Sequence, residues 1–179
     1  SLRLANLAAL QHPLSVDTYI EQTLRDAKAV LVRLIGGMPY WSYGLQQLRA
    51  VAEENGIALA VLAADGRADS QLDDISTLPV STLRRLRQLC DAGGPDAASA
   101  ALAQLALSAG LFARPKIGQK NPPRVGGWSL QNRLSCPAAF ALRVIPKPAV
   151  VISFYLSYLT AADLAPIEAA AQALEARGF

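Results

Sequence analysis

The chain holds one histidine, His12, and two cysteines, Cys90 and Cys136, which lie far apart. Isolated cysteines without a CxxC spacing make neither a zinc site nor a disulfide framework. No HExxH stretch is present, so a two-histidine zinc helix is excluded. There is no G-x-S-x-G elbow, and His12 is the one base that a Ser-His-Asp arrangement would have. GxGxxG and GxxxxGK[ST] are both missing, which removes the usual dinucleotide and P-loop phosphate cradles. A phosphoacceptor receiver domain needs acidic residues closing its first strand, and Leu7 to Leu10 supply none. No apolar run approaches the ~18 residues of a membrane span, and no signal peptide is evident. A cytoplasmic location is the default expectation. The initiator Met is also missing.

What is present is apolar. Of 179 residues, 52% are hydrophobic and 17% charged, enough to bury a core in one domain or in one domain and part of another. This apolar excess fits either an Ala-rich core or a large interface. Net charge is +3, from 17 basic and 14 acidic residues, too weak and too scattered to point to nucleic acid. The tightest basic cluster, Arg84, Arg85 and Arg87, alternates with Leu83, Leu86 and Leu89 and reads as the solvated face of a helix.

The organising stretch runs from Asp26 to Gly44. Ala29 to Ile35 is a short apolar run closed by Gly36-Gly37, then by an aromatic loop and a helical pattern. That succession predicts a central parallel strand covered on both faces. In open α/β sheets ligands sit beyond the carboxyl ends of the strands. Gly36, Gly37, Met38, Tyr40, Trp41 and Tyr43 are expected there.

Leu2 to Leu10 reads as a poor strand. Pro13 holds His12 extended. Ser15 is the expected N-cap of a helix carrying Val16, Ile20 and Leu24 and ending near Ala27. A second helix is expected from about Tyr43 to Asn55, capped by Gly56, and a second strand over Ile57 to Ala63. Strand, helix, strand is the signature of a parallel crossover.

Ala64 to Thr77 reads as an acidic surface loop, in which Asp73-Asp74 has too few companions to hold a cation. Ser81 caps a helix running to about Ala92 with Leu83, Leu86, Leu89 and Cys90 inward, and a helix starting at Pro95 carries Ala98, Ala101, Leu102, Leu105 and Ala109. Prolines and glycines break every period from Leu111 to Pro148, as in an interdomain linker. Ala149 to Tyr155 then reads as another central strand. Thr160 to Asp163 has capping-box spacing before a helix with Pro166 in its first turn.

The fold expectation is therefore an open, mostly parallel α/β sheet with flanking helices, Rossmann- or flavodoxin-like, over 1–112. A Pro/Gly-rich linker follows at 113–147. Residues 148–179 are the opening strand and helix of a second α/β unit. Because the last helix is not followed by a further strand, the chain reads as a piece of a longer protein.

Two features carry chemistry. Glycines 36 and 37 let backbone approach a ligand closely, and Tyr40 and Trp41 have the rings to stack on a flat, extended ring system. The alternative is that these rings pack on the second domain. His12 is either a transition-metal ligand or a cap for the turn at Pro13.

Three patterns resemble one family. They are Asn6-Leu7 to His12-Pro13 to Ser15-Val16-Asp17, the Arg33 to Gly37 turn followed by Tyr40-Trp41 and Tyr43-Gly44, and VISFYLSYLTAADLAPIEAAAQALEARG near the end. Together they resemble the large subunit of aerobic cobaltochelatase, the CobN type, kin to the magnesium chelatase large subunit, near its N-terminal part. The resemblance implies a subunit that holds a corrin precursor, hydrogenobyrinic acid a,c-diamide, while cobalt is inserted as a substrate. It implies partner subunits, an AAA+-type ATPase and an adaptor, that hydrolyse ATP with magnesium. No cofactor is expected on this piece, and alone it is not expected to turn over. It carries over no catalytic residue. Gly36, Gly37, Tyr40, Trp41 and Tyr43 are the candidate substrate contacts, and His12 the candidate metal contact. The rival expectations are a non-catalytic α/β scaffold or interaction domain whose apolar excess marks a docking face, and the large subunit of magnesium chelatase.

Overall fold

The computed structural model describes residues 1–114, 125–130, 133–135, 150–161 and 163–179. They form two compact units, Ser1–Asp91 with Ala97–Gly118, and Ala92–Asp96 with Gln119–Phe179.

The first unit is built on two strands, β1 (Ala29–Leu34) and β2 (Ala58–Ala63). They pair in parallel, from Ala29 opposite Ala58 to Leu34 opposite Ala63. All six residues of β2 are buried, as a strand covered on both faces requires. Alternation along the strands divides the core in two. Val32, Leu34, Leu59, Val61 and Ala63 pack under α1 (Pro13–Tyr19), α2 (Ser42–Asn55) and α3 (Ser70–Ile75). Ala60 and Leu62 face α4 (Val80–Ala92) and α5 (Gly94–Ser108) through Leu83, Leu86, Leu89, Ala100, Ala101 and Leu105. The expected α/β class and the β1–α2–β2 succession therefore hold, and Gly56 closes α2 in the left-handed conformation at φ 65°.

Several local expectations are corrected. Leu2 to Leu10 forms no strand. Leu4 is 88% exposed, and Leu7–Ala9 is a 3-10 turn capped by the Asn6 side chain, which accepts from the Ala8 amide at 3.0 Å. Helix α1 starts at Pro13, not after Ser15. Proline needs no partner for a missing N–H in the first turn, and His12 supplies the cap. The helix then widens into a π-turn over Ile20–Leu24, which keeps Val16, Ile20 and Leu24 all buried.

The acidic stretch after β2 is only partly a loop. Asp69 caps α3 by accepting from the Gln71 and Leu72 amides. Beyond α3, Ser76 and Thr77 close the outer edge of β2 with their hydroxyls. Thr77 Oγ1 accepts from the Leu59 amide at 2.8 Å and donates to the Ile57 carbonyl at 2.9 Å. Ser76 Oγ accepts from the Val61 amide at 2.9 Å and donates to the Leu72 carbonyl. These bonds satisfy edge groups that a further strand would otherwise take. Helix α4 starts one residue ahead of Ser81, at Val80. On α5 the buried stripe is Ala97, Ala100, Ala101 and Leu105, while Ala98 and Leu102 face out.

In the second unit β3 (Gly127–Ser129) pairs antiparallel with β4 (Arg133–Ser135). Trp128 meets Phe154 edge to face, with centroids 6.2 Å apart. Among the described residues the helices α6 (Leu156–Thr160) and α7 (Ala165–Glu175) follow. The expected strand over Ala149 to Tyr155 is not formed at 150–155, where no described strand lies alongside to complete a ladder; residue 149 lies outside the described residues. Thr160 ends α6 and is not the cap of α7, which is Leu164; Pro166 does fall in the first turn. The expected linker at 113–147, with Cys136, lies mostly outside the described residues, and its described parts carry β3 and β4.

Candidate functional site

The loop after β1 leaves the sheet through two left-handed glycines, Gly36 at φ 93° and Gly37 at φ 67°. A side chain at Gly37 is excluded twice over. Its φ and ψ (67°, −161°) suit glycine alone, and a Cβ would sit 2.8 Å from Asp69 Oδ2. Glycine thus lets the β1–α2 loop lie against the cap of α3, so that the segments following β1 and β2 meet. Pro39 lies in a 3-10 turn over Met38–Tyr40, and Tyr40, whose side chain lies against Gly36, is 49% exposed.

Trp41 turns the other way. It is only 7% exposed, and its indole Nε1 donates to the Leu10 carbonyl at 2.7 Å. Its ring lies across Gly44, where a Cβ would overlap the six-membered ring. Tyr43 stands on the exposed side of α2 and its hydroxyl donates to Asp17, 2.8 and 3.0 Å from the two carboxylate oxygens. The bond to Asp17 pushes the phenol above its usual 10.0, since ionising it would set a second negative charge beside the carboxylate.

His12 is exposed at the start of α1, with Nδ1 accepting from the Leu14 amide at 3.2 Å. Leu10 and Leu14 on either side line a shallow groove of about 390 Å³ with Ser15, Thr18, Tyr19 and Gln22. Among the described residues no cluster of three or more His, Cys, Asp or Glu side chains is placed to hold a metal ion. Asp73 and Asp74 belong to no such group.

Of the residues singled out in the sequence, Gly36, Gly37 and Tyr40 form one exposed turn at the carboxyl end of β1. Trp41 links that turn to the backbone two residues before His12. Tyr43 is tied to α1 through Asp17. Three participants were not anticipated: Asp17, Leu10 and Asp69. Asp69 was readable, as an aspartate immediately ahead of the helical run Ser70-Gln71-Leu72. A carbonyl receiving an indole N–H leaves no sequence signal.

Cys90, half-buried on α4, lies near the Arg33–Asp91 ion pair, whose Nη2 to Oδ1 distance is 2.9 Å. Burial pushes its thiol above the ordinary value, partly offset by the Arg33 charge. A thiol held neutral is a small core residue rather than a nucleophile.

These features define a parallel α/β unit with a glycine-aromatic turn over its first strand. Comparison with known proteins carries the assignment further. The chain is 35% identical over 195 residues to the aerobic cobaltochelatase subunit CobN of a Sinorhizobium species, covering 99% of this chain and 15% of that protein. It is 33% identical over 187 residues to the CobN subunit of Pseudomonas aeruginosa, covering all of this chain and 14% of that one. Among solved structures, it resembles the catalytic subunit of cobaltochelatase from Mycobacterium tuberculosis, with a TM-score of 0.57 and 22% identity over 98% of this chain and 13% of that one. That likeness is one of fold. No family model matches. The chain belongs to the CobN family and corresponds to one segment of its much longer members.

Proposed function

We propose that this chain is part of the large, tetrapyrrole-binding subunit of a cobalt chelatase. The reaction is insertion of Co2+ into hydrogenobyrinic acid a,c-diamide, in cobalamin biosynthesis. Partner subunits, an AAA+-type ATPase and an adaptor, supply the energy of ATP hydrolysis. The observation that carries this reading is sequence identity of 35% and 33% to two CobN proteins over essentially the whole chain.

Within the segment, Gly36, Gly37 and Tyr40 are the residues that a macrocycle would meet, with Tyr43 beside them and His12 as a single metal contact. Metal insertion needs a desolvated cavity holding ring and ion together, and a base for the pyrrole protons. Among the described residues no group of side chains is placed to hold a metal ion, and on this reading the segment contributes one wall of a site built jointly with other parts of the subunit.

Burial of Trp41 favours a second reading, in which the segment is a scaffold and its aromatic loop is structural. A cobalt-insertion assay with the full-length subunit, Co2+, the corrin precursor, ATP and the partner subunits tests the first reading. Tyr40→Ala in that protein is expected to lower insertion at limiting macrocycle. Wild-type rates at every macrocycle concentration would leave the scaffold reading in place.

A further inference from the structure

His12, the one histidine of the chain, closes the start of α1 with both its side chain and its backbone. Its Nδ1 accepts from the Leu14 amide at 3.2 Å. Its carbonyl accepts from the Ser15 and Val16 amides at 2.9 and 3.2 Å. Pro13 has no amide to leave bare, so His12 takes the next three donors of the first turn. A neutral imidazole carries one N–H and one in-plane lone pair on its two nitrogens. A nitrogen that accepts a hydrogen bond uses the lone pair. The ring hydrogen of the capping form therefore sits on Nε2.

A histidine that ligates a metal is arranged the opposite way. The metal takes the lone pair of one nitrogen, and the other nitrogen donates its N–H to a carboxylate, a carbonyl or water. In His12 the second nitrogen faces a donor instead, the Leu14 amide. A metal on Nε2 would leave the ring hydrogen on Nδ1, and two N–H groups would point at one another. A metal on Nδ1 would take the lone pair that the amide uses. Both routes end the side-chain cap. Neither changes the proton count of the ring on the Nε2 route, because the hydrogen that Nε2 gives to water is matched by one that Nδ1 takes from it.

We propose that capping α1 and ligating a metal are alternative states of His12, so that this ring reaches a metal ion only by releasing the Leu14 amide. The proposal deepens the chelatase reading and, for the metal contact, rests on it. Ligation is weakened by whatever the cap contributes, about 5-fold for a side-chain cap of ordinary strength. A weakened contact suits a substrate ion that is passed on and not kept. Among the described residues no further ligands gather to offset the lost cap.

Heteronuclear NMR of the ring nitrogens in the 179-residue chain, at mildly alkaline pH, tests it without ambiguity of assignment, since there is a single histidine. The hydrogen is expected on Nε2; a hydrogen on Nδ1 would overturn the proposal. Zn2+, a diamagnetic probe for Co2+, is then added. Filling of the site is expected to move the ring hydrogen to Nδ1 and to speed exchange of the Leu14 amide by about 5-fold. A metal-shifted ring with the Leu14 amide still protected would overturn the exclusion. His12→Asn, whose side-chain oxygen is favoured at an N-cap, is expected to keep the Leu14 protection and lose the Zn2+ response. His12→Ala is expected to lose both. If the ring keeps its hydrogen on Nε2 and Leu14 stays protected up to millimolar Zn2+, the cap has excluded the metal. That result upholds the exclusion and removes His12 from the chelatase reading.

Discussion

The indole Nε1 of Trp41 donates to the carbonyl oxygen of Leu10 across 2.7 Å, joining the loop after β1 to the segment before α1. Neither group sits in regular secondary structure, so each depends on the other for a partner. Trp41→Phe keeps most of the buried ring and removes the bond, and is expected to cost about 1 kcal/mol. Trp41→Ala also empties the space over Gly44 and is expected to cost about 3–5 kcal/mol. Urea unfolding followed by far-ultraviolet circular dichroism separates the two. Equal losses would mean that the hydrogen bond, and not the packing, holds this contact.

Gly44 is the counterpart of that ring. In a helix, replacing glycine by alanine ordinarily stabilises by up to ~1 kcal/mol. Here the new methyl would overlap the Trp41 ring, so Gly44→Ala is expected to destabilise by about 1–3 kcal/mol instead. In the Trp41→Ala background the sign should reverse. A double-mutant cycle by urea unfolding reads this directly, and simple additivity would refute the contact.

Thr77 offers a third test. Its hydroxyl is both acceptor for the Leu59 amide and donor to the Ile57 carbonyl, at a partly buried sheet edge. Thr77→Val keeps the shape and strands both groups, at an expected cost of about 2–4 kcal/mol. Thr77→Ser keeps the hydroxyl and should cost about 1 kcal/mol or less. Faster hydrogen exchange at the Leu59 amide should accompany the valine variant only.

The two-strand core was legible because its signals are local and repeated. Ala29 to Leu34 and Ala58 to Ala63 are continuous apolar runs, and Gly36-Gly37 and Gly56 mark their boundaries. The position of the candidate turn followed from the same pattern. What was not legible depends on partners distant in sequence. Trp41 and Tyr40 are adjacent aromatics in one loop, yet one is buried and the other exposed, because the Leu10 carbonyl is available only after the chain has folded back. Thr77 looks like loop filler until β2 lies beside it. Val150 to Tyr155 has a strand's composition, but composition does not supply the neighbouring strand that makes it one.

The Tyr43–Asp17 pair gives a pH-dependent signature. The phenol is raised above 10.0 because its protonated form donates to a carboxylate. The sign follows: a folded value above the unfolded one means that the contribution to stability is complete below about pH 10 and is lost as the pH climbs through the raised value. Asp17→Asn should bring the tyrosinate transition of Tyr43 down toward the ordinary value, and Tyr43→Phe should remove it from the titration. Ultraviolet absorbance against pH, comparing the wild type with both variants, checks this. No change on Asp17→Asn would mean that the hydrogen bond does not set the ionisation.

Tyr40 is the residue on which the binding proposal turns, because it is the exposed aromatic of the glycine turn, while Trp41 is spent on Leu10 and Gly44. Titrating the 179-residue chain with a metal-free porphyrin, followed by the macrocycle's absorbance, separates surface contact from internal support. One stacked ring is worth about 0.5–1.5 kcal/mol beyond its buried area. Tyr40→Ala is therefore expected to weaken binding by about 10-fold. Trp41→Phe, which keeps the loop's packing, should leave the affinity within about twofold, a difference of under 0.5 kcal/mol. If both substitutions weaken binding alike, the ring system meets Trp41 after the loop opens, and the buried indole is a closed form of the site. If saturable binding is absent at tens of micromolar, the turn is one wall of a cavity that other parts of the subunit complete, and Tyr40→Ala must then be read in the full-length protein.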